Sequence, residues 1–215
     1  MKKFAVCCAM VLGLALSAGA AETISLPEPV KNGGPALLDC LAARRSTRTF
    51  ADGPLSVQQL SDLLWAAGGQ NRPDGKLVYP TALNVQDLQI YAVTSSGVFR
   101  YDPHRNVLIE IEKGDYRAET GVQAFTADAA VNLVYVQDKT QWKKLKHVPP
   151  EDAVYGMGCI HAGEACQNAS LYAASRNWAC VVRGSFDRGR LGKRLRLSRE
   201  QVILLTQSLG PRGGE

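Results

Sequence analysis

Three alternating runs joined by short links constrain this chain more than any other feature. Leu88–Thr94 alternates well enough for a strand, Ser95-Ser96-Gly97 offers a turn, residues 98–101 resume, and residues 106–112 alternate again. Successive side chains of a strand point to opposite faces, so such runs read as strands. The links are too short for a parallel crossover, which needs a dozen residues or more. An antiparallel meander is therefore predicted. Further strands are expected at residues 131–137, 180–186 and 201–208.

Helical spacing appears between these runs. Residues 35–43 carry apolar side chains at helical intervals, and a short first helix is expected to end near Arg44. Ser56 followed three residues later by Gln59 has the capping-box form, and Leu60, Leu63, Leu64 and Ala67 then share one face. Gly68-Gly69 stops that helix, and the polar stretch at 70–80 is a loop long enough to serve a site. A long helix is expected over 152–175. No internal repeat or linker interrupts the pattern. The predicted class is α+β, with helices packed on a mainly antiparallel central sheet.

Residues 1–20 stand apart. Lys2 and Lys3 precede an apolar run from residue 4 to about residue 16, followed by Ser17, Ala18, Gly19 and Ala20. A charged start, an apolar stretch and small residues at a small-x-small site predict a secretory signal peptide cleaved after Ala20. The run is shorter than the ~20 residues a spanning helix needs. Residues 21–215 are thus expected as one domain exported to the bacterial periplasm, a location read from the signal alone, with no stable membrane insertion after cleavage. The whole chain carries +5, with 25 basic residues against 20 acidic, and 46% hydrophobic residues suffice for a real core. Disorder is excluded on that composition.

Cys7 and Cys8 leave with the signal, and Cys40, Cys159, Cys166 and Cys180 remain. An even count permits disulfides without demanding them. On one helix Cys159 and Cys166 stand about 10 Å apart along the axis, beyond the ~7 Å limit between Cα atoms of a bridge. The Cys159-x-His161-x4-Cys166 cluster has no CxxC unit, and no metal site is expected.

The chemistry concentrates in Arg44-Arg45-Ser46-Thr47-Arg48, three guanidinium groups and hydroxyls at a helix end. Arginine offers permanently charged, bidentate donors that suit a phosphate, although five such residues alone also fit a solvated basic turn. In Pro80-Thr81-Ala82-Leu83-Asn84-Val85-Gln86, the amides of Asn84 and Gln86 can donate and accept, which matches a heterocycle's imide edge or a turn capping its own backbone.

Taken in order, these segments resemble the FMN-dependent nitroreductase superfamily, nearest its SagB-type dehydrogenase-like branch. The resemblance covers about residues 36–212. It rests on Arg-Arg-Ser-Thr-Arg-Thr-Phe at 44–50, Leu-Leu-Trp-Ala-Ala at 63–67, Pro-Thr-Ala-Leu-Asn-Val-Gln at 80–86 and Gly-Val-Phe-Arg-Tyr-Asp-Pro at 97–103. Gln-Asn at 167–168, Val-Val-Arg-Gly-Ser-Phe at 181–186 and Gln-Ser-Leu-Gly-Pro-Arg at 207–212 complete it.

The resemblance implies a nitroreductase-like fold and a homodimer with FMN at the subunit interface. Electrons pass through the flavin to or from a small organic substrate in a ping-pong cycle, with NAD(P)H a candidate donor. Position by position, Arg44, Arg45, Ser46 and Arg48 match phosphate and ribityl contacts. Thr81 and Asn84 fall in the motif that touches the isoalloxazine from the partner subunit. Arg183 and Gly184 match the strand whose backbone amide approaches flavin N5, where an N–H donor stabilises reduced flavin. Arg212 matches a C-terminal basic residue that closes on the phosphate.

The departures are specific. Thr81 replaces the usual Ser, Asn177-Trp178-Ala179 stands where relatives often have a Gly-Leu-Gly type turn, and the chain stops three residues past Arg212. The Lys and Tyr pair of azoline-oxidising relatives has no counterpart, and no catalytic residue is assigned.

Other signals carry less. His104, His147 and His161 are scattered without a nucleophile elbow and read as structural. The basic run at 188–199 is interleaved with Leu191, Leu195 and Leu197, an amphipathic segment and not a nucleic-acid face. No P-loop or dinucleotide fingerprint occurs. The alternative to an enzyme is an extracytoplasmic flavin-binding or interaction protein that keeps the fold without turnover.

Overall fold

The computed structural model describes residues 22–214, and the expected signal peptide lies outside them. In chain order the main elements are β1 (Thr23–Ser25), α1 (Leu37–Ala43), α2 (Val57–Gly68), β2 (Leu88–Thr94), β3 (Gly97–Asp102) and β4 (Val107–Lys113). They continue with β5 (Val131–Asp138), α3 (Glu151–Ser175), β6 (Trp178–Arg183), α4 (Arg188–Arg194) and β7 (Gln201–Pro211). Short 3-10 turns fall between several of these, one of them at Ala82–Asn84.

The strands form one seven-stranded sheet in the order β1-β4-β3-β2-β5-β7-β6, every neighbouring pair antiparallel. The predicted meander is β2-β3-β4, with Tyr91 opposite Arg100 and Val93 opposite Val98. The fold is α+β with an antiparallel central sheet packed by helices, as expected.

Side-chain alternation divides the interior into two main layers. Leu88, Ile90 and Ala92 of β2, with Leu133 and Tyr135 of β5, face one large cluster completed by Leu63, Leu64 and Ala67 of α2 and by Ala162, Ala165, Ala169 and Ala173 of α3. Tyr91, Val93, Val134 and Val136 face the other side, where Leu191 and Leu195 cover them. Each of those two leucines, fully buried, contributes about 1.5–3 kcal/mol. The basic run is therefore amphipathic as predicted, and its leucines are core.

Small residues let α3 lie close to its neighbours. A Cβ on Gly158 would stand 2.3 Å from the Gln137 side chain. The predicted capping box forms, Gln59 N–H donating to Ser56 Oγ at 3.1 Å and Ser56 N–H to Gln59 Oε1 at 2.9 Å. Boundaries move where pairing outweighs local pattern. β6 starts at Trp178 because its first residues pair with β7, which runs on to Pro211 opposite Trp178. One strand without a signal of its own in the sequence, β1, pairs with β4 and forms an edge of the sheet.

Candidate functional site

The arginine segment is held in place by backbone bonds to two strands. After α1 ends, with Arg44 N–H donating to Cys40 O at 2.9 Å, Thr47 N–H donates to Cys180 O at 2.9 Å. Farther along, Ala51 N–H donates to Pro211 O at 2.9 Å and Gly213 N–H to Thr49 O at 3.1 Å. Phe50 bridges to Arg212 and buries its ring against Ala129, Ala179 and Val181. The segment thereby covers the exposed edge of β6, an edge that would otherwise invite pairing with another chain.

This pairing brings Arg44, Arg45 and Arg212 to one small recess with Asn177, Trp178 and Ser170. No carboxylate lines it. The contrast with the other arginine cluster is plain, since Arg190 and Arg194 pair with Glu119 and Arg196 with Glu112. Arg212 Nε is buried without a hydrogen-bond partner among the described residues. Guanidinium groups gathered around a recess without a counter-charge fit an anion. Cys180 also lines the recess; burial raises its thiol above the ordinary range, against the opposing pull of Gln207, Ser170 and Arg44. Ser46 and Arg48 lie on the same segment and are exposed. They do not line the recess.

The Pro80–Gln86 motif forms a strained turn. Leu83 and Asn84 have φ of 53° and Gln86 has φ of 47°, all in the left-handed region. For Leu83, a bulky residue, that conformation costs on the order of 1–2 kcal/mol. Gln86 Nε2 donates to Asn84 Oδ1 at 3.2 Å and to Gly75 O at 3.0 Å. Asn84 thus spends its oxygen inside the turn, and its Nδ2 is the part left to meet a ligand. Thr81 Oγ1 accepts from Gln86 N–H at 3.4 Å.

Arg183 was read for its backbone amide, and its side chain has a separate, structural place. Its side chain is 6% exposed and turns inward. Nη1 donates to Thr120 O at 2.9 Å, and Nη2 donates to Asn132 Oδ1 at 2.8 Å and Ser208 Oγ at 2.9 Å. Burial pulls the guanidinium down to about 10, so it stays charged at neutral pH. Only its backbone is left to face a ligand. Gly184 beside it is exposed, and a Cβ there would meet nothing within 4 Å.

The Arg44–Arg212 recess and the Thr81–Asn84 turn do not meet within one chain. Ser170 and Ala174 of α3 stand at the recess, whereas His161 of α3 bonds to Ala82 in the turn. Nine or more residues along a helix separate them by roughly 15 Å.

Two residues at the turn were not singled out by pattern. His161, read as structural, and Asp87 are both fully buried and joined, His161 Nδ1 to Asp87 Oδ1, at 2.7 Å. Asp87 Oδ2 accepts from Gln137 Nε2 at 2.8 Å and from Trp142 Nε1 at 2.7 Å. Burial pushes the Asp87 carboxyl up, but the donors from His161, Trp142 and Gln137 outweigh it and hold the group below the ordinary carboxylate value. Both ring nitrogens of His161 are committed, so the Cys159-His161-Cys166 cluster does not converge on a metal; Cys40, Cys159, Cys166 and Cys180 are free thiols.

The sequence pattern of the Nitroreductase family matches residues 41–211. A protein of Methanocaldococcus jannaschii named as a nitroreductase is 25% identical over 179 residues, which are 79% of this chain and 88% of the relative. A crystal structure from Ralstonia eutropha JMP134, described as that of a nitroreductase, has a TM-score of 0.83 at 33% identity and covers 90% of each chain. The Vibrio harveyi NADPH:FMN oxidoreductase, solved in complex with NAD+, shares the fold with a TM-score of 0.63 at 21% identity, over 83% of this chain and 69% of that chain. By its sequence and its fold, the chain belongs to the nitroreductase family.

Proposed function

We propose that this nitroreductase-family oxidoreductase uses FMN, works as a homodimer, and is exported to the periplasm by its N-terminal segment. The observation that carries the flavin reading is the recess where Arg44, Arg45 and Arg212 gather with no carboxylate. A phosphate monoester brings close to two negative charges to such a place. When bound, FMN supplies the electron and hydride chemistry that no side chain here provides.

The residues divide the work of holding it. Arg44, Arg45 and Arg212 hold the phosphate, and Ser46 and Arg48, on the same segment, extend that grip. Gly184 leaves its backbone amide open to a planar ring, and buried Arg183 stiffens the strand behind it. Thr81 and Asn84 stand about 15 Å along α3 from the phosphate recess in their own chain. They serve the ring bound to the other subunit.

A second copy fits the outer face of α3. Tyr155, Met157 and Ile160 are exposed there, with Leu37, Leu38 and Leu41 exposed on α1. Gly156 and Gly163 have open space where a Cβ would stand, which lets another helix approach closely. Export rests on the charged and apolar pattern of residues 1–20. NAD(P)H is the candidate donor by analogy with the Vibrio harveyi enzyme, and a small organic molecule is the substrate. The SagB-type branch is our assignment from the motifs between residues 44 and 212 taken in order. Nucleic acid is not a partner on this reading, because Arg190, Arg194 and Arg196 are paired with glutamates.

An absorption spectrum of purified residues 21–215, with identification of the chromophore released on denaturation, tests the reading. FMN at about one per subunit, one for each arginine cluster, and reoxidation by a quinone or nitroaromatic faster than by oxygen alone are expected. Colourless folded protein that takes up no added FMN would overturn it. Bound flavin that no acceptor reoxidises selects the binding protein without turnover.

A further inference from the structure

The most elaborate polar arrangement among the described residues lies beneath the Thr81–Gln86 turn. Asp87 precedes β2, Gln137 lies near the end of β5, Trp142 is in the 3-10 turn after it, and His161 is on α3. They lie 50, 55 and 74 residues from Asp87, and each donates to its carboxylate. Such a network is costly to bury unless every member is satisfied, and a merely apolar plug would hold these elements together as well.

The geometry assigns the proton on His161. Ala82 N–H donates to Nε2 at 2.9 Å, and a backbone amide cannot accept. Nε2 is therefore unprotonated, and the proton sits on Nδ1, against Asp87 Oδ1 at 2.7 Å. The carboxylate selects the tautomer, the tautomer makes Nε2 an acceptor, and the acceptor ties Ala82 to α3. Ala82 immediately precedes Leu83 and Asn84, whose left-handed backbone persists only where the surroundings impose it.

We propose that Asp87 and His161 are positioning residues that lock the Thr81–Asn84 turn in its ligand-facing conformation through the Ala82 amide. The inference rests on the flavin reading for the identity of the ligand, but the lock itself exists in the protein without one. Asp87→Asn is the informative change because it alters no volume. One amide oxygen can satisfy Gln137 and Trp142, which leaves the NH2 facing His161 Nδ1. The imidazole must then carry its proton on Nε2, where it opposes the Ala82 N–H.

The test combines two readouts on the whole mature chain. In ligand-free protein, hydrogen exchange at the Ala82 amide is expected to speed up about tenfold or more in Asp87→Asn, the scale of one lost buried hydrogen bond. FMN affinity, followed by flavin fluorescence, is expected to fall by a similar factor. His161→Gln, whose Oε1 can accept from Ala82, is expected to recover part of the protection that His161→Phe loses. Unchanged Ala82 exchange in folded Asp87→Asn overturns the lock. Faster exchange with unchanged FMN affinity overturns its role toward the ligand. If the wild type takes up no FMN yet Ala82 responds, the lock stands and the flavin reading falls. Should Asp87→Asn fail to fold, the 15N shifts of His161 in the wild type decide: protonated Nδ1 with bare Nε2 supports the proposal, and the opposite tautomer overturns it.

Discussion

Thr47 and Cys180 hydrogen-bond to each other twice, Thr47 N–H donating to Cys180 O at 2.9 Å and Cys180 N–H donating to Thr47 Oγ1 at 3.1 Å. The second bond uses a side chain where a strand would use a carbonyl. It fixes the chain between Arg45 and Arg48 against β6, so the direction of the arginines depends on one hydroxyl.

Thr47→Val keeps the shape and removes that acceptor. The Cys180 amide then lacks its partner, a loss of about 1–3 kcal/mol. We expect a lower unfolding midpoint in urea and weaker FMN binding together, with Thr47→Ser restoring both. Equal FMN affinity in wild type and Thr47→Val would separate the arginines from this anchor.

Gly184 gives the opposite kind of prediction. Its φ is not in the left-handed region and a Cβ there would meet nothing, so a larger residue fits the free protein. Gly184→Val is expected to leave thermal stability nearly unchanged while reducing flavin retention, because the added methyl groups occupy the space over the backbone. Full flavin content in this variant would show that no ring approaches Gly184.

Acid should loosen the α4 region. Burial pushes the Glu119 carboxyl up, but hydrogen bonds from Arg194 and Arg190 outweigh it and place the folded-state value below the ordinary one of about 4.3. A carboxylate shifted this way adds stability that is complete above its unfolded value and disappears as pH falls through the folded value. The stability difference between wild type and Glu119→Gln is therefore expected to be constant from neutrality to about pH 5 and to shrink below about pH 4. Urea unfolding at both ends of that window measures it. A difference that persists undiminished at about pH 3 would contradict the sign.

How much of this was legible in the sequence depended on how local each cause is. The Ser56–Gln59 capping box spans four residues, and the β2-β3-β4 meander follows from alternation and short links, so pattern alone sufficed. The Arg44–Arg48 cluster could be seen and the resemblance set Arg212 beside it, but the pairing that gathers them crosses more than 160 residues of chain, through the Phe50–Arg212 bridge and the backbone bonds of Ala51 to Pro211 and of Gly213 to Thr49, and no local pattern announces it. β1 is three residues long and owes its existence to β4. Asp87 and His161 are each unremarkable in their own segments, and no spacing rule connects residues 74 apart. The motif at 181–186 was read for its backbone amide, and pattern carries no information on the Arg183 side chain, whose bonds to Asn132 and Ser208 come from strands far away in sequence.

The separation of the recess from the Thr81–Asn84 turn yields the last prediction. If one ligand uses both, it must draw them from two chains, so dimerisation and flavin binding should fail together. Ile160 is 52% exposed on α3, beside the groove of Gly163 and Pro80, and takes no part in the described core. Ile160→Glu adds a charge that a helix-to-helix contact would have to desolvate, while an isolated subunit leaves it in water. We expect light scattering to report a monomer with native circular dichroism and little bound FMN. A monomer that retains FMN at wild-type affinity would mean that one chain suffices, and a dimer that persists with this charge in place would move the interface off this face of α3.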